Sequence, residues 1–172
     1  MATDVRVRLQ DDLPSCAQAL VEVHRSDGYP VEGVADPIGW LTPPTLIRAW
    51  VAEKDGSIVG HVLLTTPQEG DDAARLWQSQ SANDEKIAVL GRLFVLSTAR
   101  GHSFGEHLMR AATEYAQQQN MRLVLDVMDK DKAAIRLYER LGWQRIGTAY
   151  HQFGEGQSIP AFCYVSPTPA SS

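Results

Sequence analysis

Apolar and polar residues alternate over residues 5–9, where two valines and a leucine are separated by two arginines. This period of two predicts a strand with one buried face. The pattern then changes to helical spacing over residues 12–27, with Asp12 as the expected cap, Pro14 in the first turn and Gly28 after the last. A strand followed by a helix is therefore expected to open the chain.

The next segments mix loop and strand signals. Residues 29–40 carry prolines, glycines and aromatic residues without a clear period, which predicts a long loop that faces a substrate. A short helix is expected at residues 42–44, followed by a two-stranded hairpin within residues 50–66. The polar and acidic segment 67–86 predicts a mobile surface insertion with at most one helical turn.

The second half alternates strands and helices. We expect a strand at 87–95, a helix at 104–119, a strand at 122–127, a helix at 131–141, and two terminal strands at 143–152 and 159–165 joined by a turn at 154–156. The near-continuous apolar run of the first strand indicates burial on both faces. The mixture predicts a single mixed α/β domain over residues 1–166, with a disordered tail at 167–172.

Composition excludes several classes of partner. The 172-residue chain is 44% hydrophobic and has a formal net charge of −5, with acidic and basic residues mixed along it. A basic footprint is missing, so nucleic acid is not an expected partner. The amino terminus lacks the apolar core of a signal peptide and no apolar run could cross a bilayer, so we expect a cytoplasmic protein without a membrane partner. Cys16 and Cys163 are expected to be buried thiols, and no metal site is predicted.

The most informative segment follows the strand predicted at 87–95. Residues 100–105 read Arg-Gly-His-Ser-Phe-Gly, a small basic loop that leads into an amphipathic helix. Such a turn directs backbone N–H groups and the positive end of the helix dipole to one spot. The loop therefore predicts a phosphorylated cofactor, and alone it does not choose among nucleotides, coenzyme A and free phosphate.

Two motifs in order resemble the GCN5-related N-acetyltransferases, the GNAT superfamily. Loop 100–105 resembles that family's Arg/Gln-x-x-Gly-x-Gly/Ala pyrophosphate loop. Segment 131–143 reads Asp-Lys-Ala-Ala-Ile-Arg-Leu-Tyr-Glu-Arg-Leu-Gly-Trp and is similar to the family's Asn-x-x-Ala-x-x-x-Tyr-x-x-x-Gly-Phe segment. The order and separation of the two motifs match as well, which makes the resemblance specific.

The resemblance implies a GNAT-like fold, with a twisted mixed sheet of about seven strands flanked by helices. Two central parallel strands, 87–95 and 122–127, would splay apart around the pantetheine arm of coenzyme A. The implied reaction passes an acetyl group from acetyl-CoA, as co-substrate, to a primary amine of a small molecule or protein by direct attack in a ternary complex. Relatives often dimerise, so a homodimer is a further expectation.

The implied cofactor contacts fall on both motifs and on the strand before the loop. Amides of that strand would contact the pantetheine and thioester, and an N–H there would stabilise charge on the thioester oxygen. The residues are Phe94, Val95, Leu96, Arg100, Gly101, His102, Ser103, Phe104, Gly105, Asp131, Ala134 and Tyr138.

Tyr138 is the side chain that the resemblance assigns to proton transfer, as general acid to the coenzyme A thiolate. A thiol titrates near ~8.5 and a phenol near ~10, so a tyrosine beside the sulfur can share a proton with it. Many relatives place a basic glutamate on the strand before the loop, where residues 88–92 here hold no carboxylate. The candidates for the base are Glu22, His24, Asp126 and His151, and the assignment stays open.

Two positions depart from the family pattern. Ser103 stands where a glycine is usual, and its side chain is expected to alter cofactor affinity without abolishing binding. Asp131 replaces an asparagine, which adds negative charge near an anionic cofactor while keeping a residue type suited to cap a helix.

Alternatives to catalysis remain at this point. A module that binds acyl-CoA as a sensor, without turnover, would explain the missing carboxylate and the altered loop. A nucleotide-phosphate site is disfavoured, because the chain lacks the Gly-x-x-x-x-Gly-Lys-Ser/Thr motif. The aromatic residues expected to line an acceptor pocket are Tyr29, Trp40, Trp77 and Phe153.

Overall fold

A computed structural model describes residues 4–30, 33–80, 85–152 and 156–168. The strands are β1 (Val5–Val7), β2 (Leu46–Lys54), β3 (Ser57–Thr65), β4 (Lys86–Val95), β5 (Met121–Met128), β6 (Gln144–Gln152) and β7 (Ser158–Val165). The helices are α1 (Leu13–Asp27), α2 (Pro37–Leu41), α3 (Asp72–Gln80), α4 (Phe104–Gln118) and α5 (Lys132–Arg140).

The strands form one mixed sheet in the order β1-β2-β3-β4-β5-β7-β6. This seven-stranded sheet with flanking helices confirms the predicted fold class. The chain divides into two compact units, one of Met1–Thr65 with Gly91–Ala112 and one of Thr66–Leu90 with Thr113–Ser172. The single domain expected over residues 1–166 stays a prediction.

The first unit contains the antiparallel strands β1, β2 and β3. The strand predicted at 5–9 is shorter, since β1 ends at Val7, and the exposed and half-buried positions over residues 5–9 are not the ones that hydrophobicity predicts. Val7 and Leu9 are 39% and 60% exposed, whereas Arg8 is half-buried and donates to the Leu41 carbonyl oxygen (2.7 Å). Backbone acceptors and other polar groups inside the unit hold the arginine there, which overrides the simple period-two assignment.

Helix α1 ends as predicted, because Gly28 adopts the left-handed conformation (φ 73°) and its N–H donates to the His24 carbonyl. Its expected cap works differently. Asp12 occupies the cap position but makes no side-chain capping bond; its carboxylate accepts two bonds from Arg6 and one from the Leu9 N–H. The acidic residue therefore ties the helix start to β1.

The long loop predicted at 29–40 is shorter than expected. Helix α2 begins at Pro37, and the Asp36 carboxylate caps it by accepting from the Gly39 N–H (3.1 Å). The helix predicted at residues 42–44 is a turn, and β2 starts at Leu46, earlier than predicted. Residues 31 and 32 lie outside the described part of the chain.

The second unit holds the start of β4 together with β5, β7 and β6. The parallel register of β4 with β5 runs from Lys86–Met121 to Val89–Val124, and β5 and β6 each pair antiparallel with β7. Along β4 buried residues alternate with half-buried ones, and two of the half-buried residues, Ile87 and Val89, pack against a core cluster, so both faces at the start of β4 are covered, though unequally. The splay of the two parallel strands stays a prediction.

The segment predicted as a mobile insertion contains a packed helix. α3 contacts β5, β6 and β7, and its Ala73 and Ala74 are buried in a cluster with Val124 and Cys163. Its polar residues occupy the face away from that cluster, which is why composition alone suggested a surface insertion. Residues 81–84 of the segment lie outside the described residues.

The two cysteines are free and buried, as predicted. Burial raises the pKa of Cys16 to about 11 and that of Cys163 to about 12, so both thiols are protonated at neutral pH.

Within the described residues no helix is long and apolar enough to span a membrane. The expected tail falls mostly on residues 169–172 and the expected turn at 154–156 mostly on 154 and 155; these positions lie outside the described part.

Candidate active site

The loop before α4 has the backbone shape expected of a phosphate cradle. Gly101 (φ 87°) and Ser103 (φ 64°) both adopt the left-handed conformation, and α4 begins at the next residue, Phe104. The Ser103 carbonyl accepts the bond from the His107 N–H (3.0 Å), which fixes the helix start. Gly105 lies in the first turn, where N–H groups have no partner within the helix. The loop can therefore offer several N–H groups to an anion.

The glycine usual at position 103 now has a physical reason. A left-handed backbone costs an L-residue with a side chain roughly 1–2 kcal/mol more than it costs glycine. Ser103 is exposed, so its side chain meets little steric resistance beyond its own backbone. The serine keeps the turn at a cost in stability.

Arg100 is engaged by the protein itself. Its guanidinium forms an ion pair with Asp27, at the end of α1, and donates to the Val95 carbonyl oxygen (3.1 Å). Burial alone would raise the pKa of Asp27, but the bonds from Arg100 and Ser26 lower it. A phosphate contact from Arg100 would compete with this pair. His102 is exposed, with its ring 6.1 Å from that of Phe104.

Three residues at the end of β4 and directly after it are predicted to contact the cofactor, and they differ in their burial and hydrogen bonding. Phe94 is buried in the core cluster that includes Leu20 and Val51. The Val95 carbonyl accepts from Arg100, while the Leu96 N–H donates to the Val59 carbonyl (2.8 Å). The Leu96 amide is thus already bonded, and a ligand contact from this residue would use its carbonyl oxygen or side chain.

A buried cluster next to this strand was missed by sequence reasoning. His61 on β3 is fully buried, and its ring stacks on that of Phe94 (centroids 5.3 Å apart). Its Nδ1 lies 2.9 Å from the carbonyl oxygen of Arg92, and its Nε2 lies 2.9 Å from Nη1 of Arg8. The carbonyl can only accept and the guanidinium can only donate, so the proton is on Nδ1.

Arg92 is itself unusual. It lies within β4 yet has a left-handed backbone (φ 51°), and its guanidinium covers the Trp40 ring (5.1 Å) while Nε donates to the Trp40 carbonyl (3.2 Å). Tyr29 meets Trp40 edge-on (5.9 Å), and both rings pack against the core cluster. The sequence signal was weak, because these contacts join residues far apart along the chain.

Tyr138 lies on α5 in the second unit. Its buried ring packs against Trp143 (6.2 Å) and Tyr164 (6.1 Å). Among the described residues none accepts a hydrogen bond from its hydroxyl. Burial, with the negative charges of Asp131 and Asp126, raises its pKa, so the phenol is protonated at neutral pH.

The other residues of the second motif have simpler positions. Ala134 is half-buried one turn before Tyr138 on the same helical face. Asp131 stands at the cap position of α5 without a capping bond from its side chain. The expectation that Asp131 caps the helix through its side chain is therefore wrong, and its charge acts on Tyr138 instead.

The four candidate bases are not equivalent. Glu22 and Asp126 are exposed, whereas His24 is half-buried and its Nδ1 has no hydrogen-bond partner among the described residues. The His151 side chain and Phe153 lie outside the described part. The base stays open.

Comparison with known proteins decides the family. Residues 11–143 match the acetyltransferase (GNAT) family. The chain belongs to this family. GNAT membership confirms the resemblance drawn from the two motifs.

Individual relatives agree with that assignment. The chain is 31% identical over 115 residues to an N-acetylaspartate synthetase of Danio rerio, covering 66% of this chain and 36% of the relative, so it spans about a third of that protein's length. Solved structures with the same fold include Arabidopsis thaliana NAA60 in complex with acetyl-CoA (18% identity, TM-score 0.69, 95% and 97% of the two chains). Another is the Salmonella typhimurium protein yncA with its cofactor acetyl-CoA (13% identity, TM-score 0.72, 100% and 97%).

Proposed function

We propose that this GNAT protein transfers the acetyl group of acetyl-CoA to a primary amine by direct attack in a ternary complex. Tyr138 is the observation that supports catalysis beyond binding, because it is the tyrosine of the second motif and its buried hydroxyl is protonated, so it can donate a hydrogen bond to a departing thiolate. The diphosphate of the cofactor would occupy the turn at residues 100–105, where two left-handed residues precede α4. Two proteins of the same fold are solved with acetyl-CoA, which supports this co-substrate.

The reaction balances without a further reagent. The amine nitrogen attacks the thioester carbon, a C–N bond forms, and the C–S bond breaks as the sulfur leaves. Tyr138 shares its proton with the sulfur during that step and regains one when the amine nitrogen releases its own. The products are an amide and the thiol of coenzyme A. N–H groups at residues 94–95 would stabilise the charge on the thioester oxygen.

The acceptor is the least constrained part of the proposal. A relative is named N-acetylaspartate synthetase, which makes an amino acid with acidic groups one acceptor class to test. A cytoplasmic location, a homodimer, and the expectation that neither nucleic acid nor a membrane is a partner stay predictions.

The test is release of the coenzyme A thiol from acetyl-CoA in the presence of a panel of amino acids, alkylamines and peptides. We expect release that depends on both acetyl-CoA and an amine, with the acetylated amine confirmed by mass spectrometry. Tight coenzyme A binding without release on any amine would contradict the proposal and favour the acyl-CoA sensor. Absence of coenzyme A binding would contradict both.

A further inference from the structure

Two half-buried guanidinium groups of the first unit, Arg8 and Arg92, act on one imidazole. Arg8 donates to Nε2 of His61, and Nδ1 of the same ring lies 2.9 Å from the Arg92 carbonyl oxygen. The positive charges of both arginines lower the pKa of His61, beyond the larger effect of its burial. His61 therefore contacts both arginines, Arg8 through its guanidinium and Arg92 through its carbonyl oxygen.

Neither cation is compensated by a carboxylate. Among the described residues the Arg8 guanidinium bonds only to the Leu41 carbonyl and His61, and the Arg92 guanidinium contacts only the Trp40 carbonyl and ring. The carboxylate that acts on Arg8 through space is Asp12, which already accepts two bonds from Arg6. A half-buried cation without a carboxylate partner loses hydration that nothing nearby replaces, which favours the binding of an anion.

The free edge of Arg92 has the geometry for a planar anion. Nε is used by the Trp40 carbonyl, and the Trp40 ring fixes the guanidinium plane. Nη1 and Nη2 are left to donate side by side, which is the arrangement that holds a carboxylate with two parallel bonds.

The position along β4 relates this edge to the reaction. Arg92 precedes Phe94 by two residues on β4, and the backbone after Phe94 is the segment assigned to the thioester. In an amino acid the carboxylate and the amine are separated by one carbon. The Trp40 ring under the guanidinium lies 6.4 Å from the Phe94 ring, so a carboxylate held at Arg92 would lie in the neighbourhood of that segment.

We propose that Arg92, with Arg8 as a second positive charge, binds a carboxylate of the acceptor, so that the acceptor is a small amine carrying a carboxylate. This inference rests on the proposed acetyl transfer. The bond of His61 to the Arg92 carbonyl and the Trp40 ring hold Arg92 in its left-handed conformation, and these two residues are positioning residues.

The test compares amino acids with two sets of analogues, their carboxamides and the decarboxylated amines. We expect the wild-type protein to acetylate the carboxylates with a kcat/KM at least about 10-fold above either analogue, because a charged hydrogen bond is lost. Arg92→Gln should lower kcat/KM for the carboxylates about 10- to 100-fold, mostly through acceptor KM, and change the values for amines without a carboxylate and the KM of acetyl-CoA little. Arg92→Lys should restore part of the loss.

Arg122 supplies the matched control. Its guanidinium covers Trp77 at 5.1 Å and its Nε donates to a backbone carbonyl (Ser166, 3.0 Å), but it is paired with Glu85. Arg122→Gln should leave the preference for carboxylates unchanged. Equal loss on all acceptors in Arg92→Gln, or wild-type turnover of decarboxylated amines as good as that of amino acids, would overturn the inference.

A binding experiment separates this inference from the proposed function. Titration calorimetry of L-aspartate into the protein saturated with coenzyme A should show binding that Arg92→Gln weakens about 10-fold or more. Binding of that kind without thiol release would contradict acetyl transfer while keeping the carboxylate site. Thiol release that does not depend on a carboxylate in the amine would support acetyl transfer and contradict the carboxylate site.

Discussion

Two arginine–tryptophan pairs have nearly the same geometry and different electrostatic surroundings. Arg92 on Trp40 and Arg122 on Trp77 each place the guanidinium 5.1 Å from the ring, and each donates Nε to a backbone carbonyl. Arg122 also has a carboxylate, Glu85, at 3.3 Å, and that carboxylate accepts from the indole of Trp77 as well.

The carboxylate is the difference that matters. The second unit closes its cation inside a network of its own residues, so the pair there holds α3 and β5 together. The first unit leaves a cation without a carboxylate among the described residues, next to a strand assigned to the cofactor. Stacking on a tryptophan therefore does not by itself identify an arginine that binds a ligand. The absence of a carboxylate partner does.

The largest effect is expected from removing the tyrosine hydroxyl that the proposal places in catalysis, in the second unit. Tyr138→Phe should lower kcat about 100-fold while changing the KM of acetyl-CoA little, because the lost hydroxyl acts on the departing sulfur. Tyr150→Phe, at a site 63% exposed, is the control and should keep full activity. Steady-state thiol release measures both, and equal losses of kcat and of coenzyme A affinity would contradict the assignment.

Two parts of the candidate site could be located from the sequence because each is a contiguous segment. The loop at 100–105 and the helix after it are contiguous, and so are the cap and the tyrosine of α5. The cluster of Arg8, His61 and Arg92 could not be found in this way, since its contacts join three different strands or their ends. In the fold, α3 was missed because its polar face dominates its composition.

The second prediction tests the buried imidazole of the first unit. Burial lowers the pKa of His61 to about 3 from an ordinary value of 6.5. Between these values the unfolded chain binds a proton that the folded protein excludes, so stability falls as the pH falls below 6.5. From pH 7 to pH 5 the loss should be about 2 kcal/mol.

Urea unfolding of wild type and His61→Asn at both pH values measures this slope. The variant can still donate to the Arg92 carbonyl but has no group that titrates in this range, so it should lack that part of the loss. Equal slopes in the two proteins would show that His61 does not stay neutral when buried.

The third prediction concerns removal of the carboxylate beside Arg122, which makes this pair resemble the Arg92–Trp40 pair. Glu85→Gln leaves Arg122, whose side chain is only 10% exposed, without its carboxylate. The free energy of unfolding should fall by about 1–2 kcal/mol, with acceptor preference unchanged. Glu69→Gln, on an exposed turn, is the control for loss of one negative charge. A change in acceptor preference in Glu85→Gln would break the distinction between the pairs.

The smallest effect concerns the phosphate loop. Ser103→Gly should raise the free energy of unfolding by about 0.5–1 kcal/mol, because glycine adopts the left-handed backbone without the side-chain cost. Asn120→Gly relieves a similar conformation (φ 56°) in the second unit and should give a similar gain. Only Ser103→Gly should tighten coenzyme A binding, by about threefold in titration calorimetry. Equal coenzyme A affinities in the two variants would show that Ser103 does not affect cofactor binding.

The most direct measurement is a crystal structure with coenzyme A and L-aspartate. The account predicts the diphosphate on the N–H groups of the loop at 100–105 and a carboxylate bonded to Nη1 and Nη2 of Arg92, with Arg122 still paired to Glu85. A carboxylate bound elsewhere, with Arg92 contacting only Trp40, would contradict the assignment of the acceptor site.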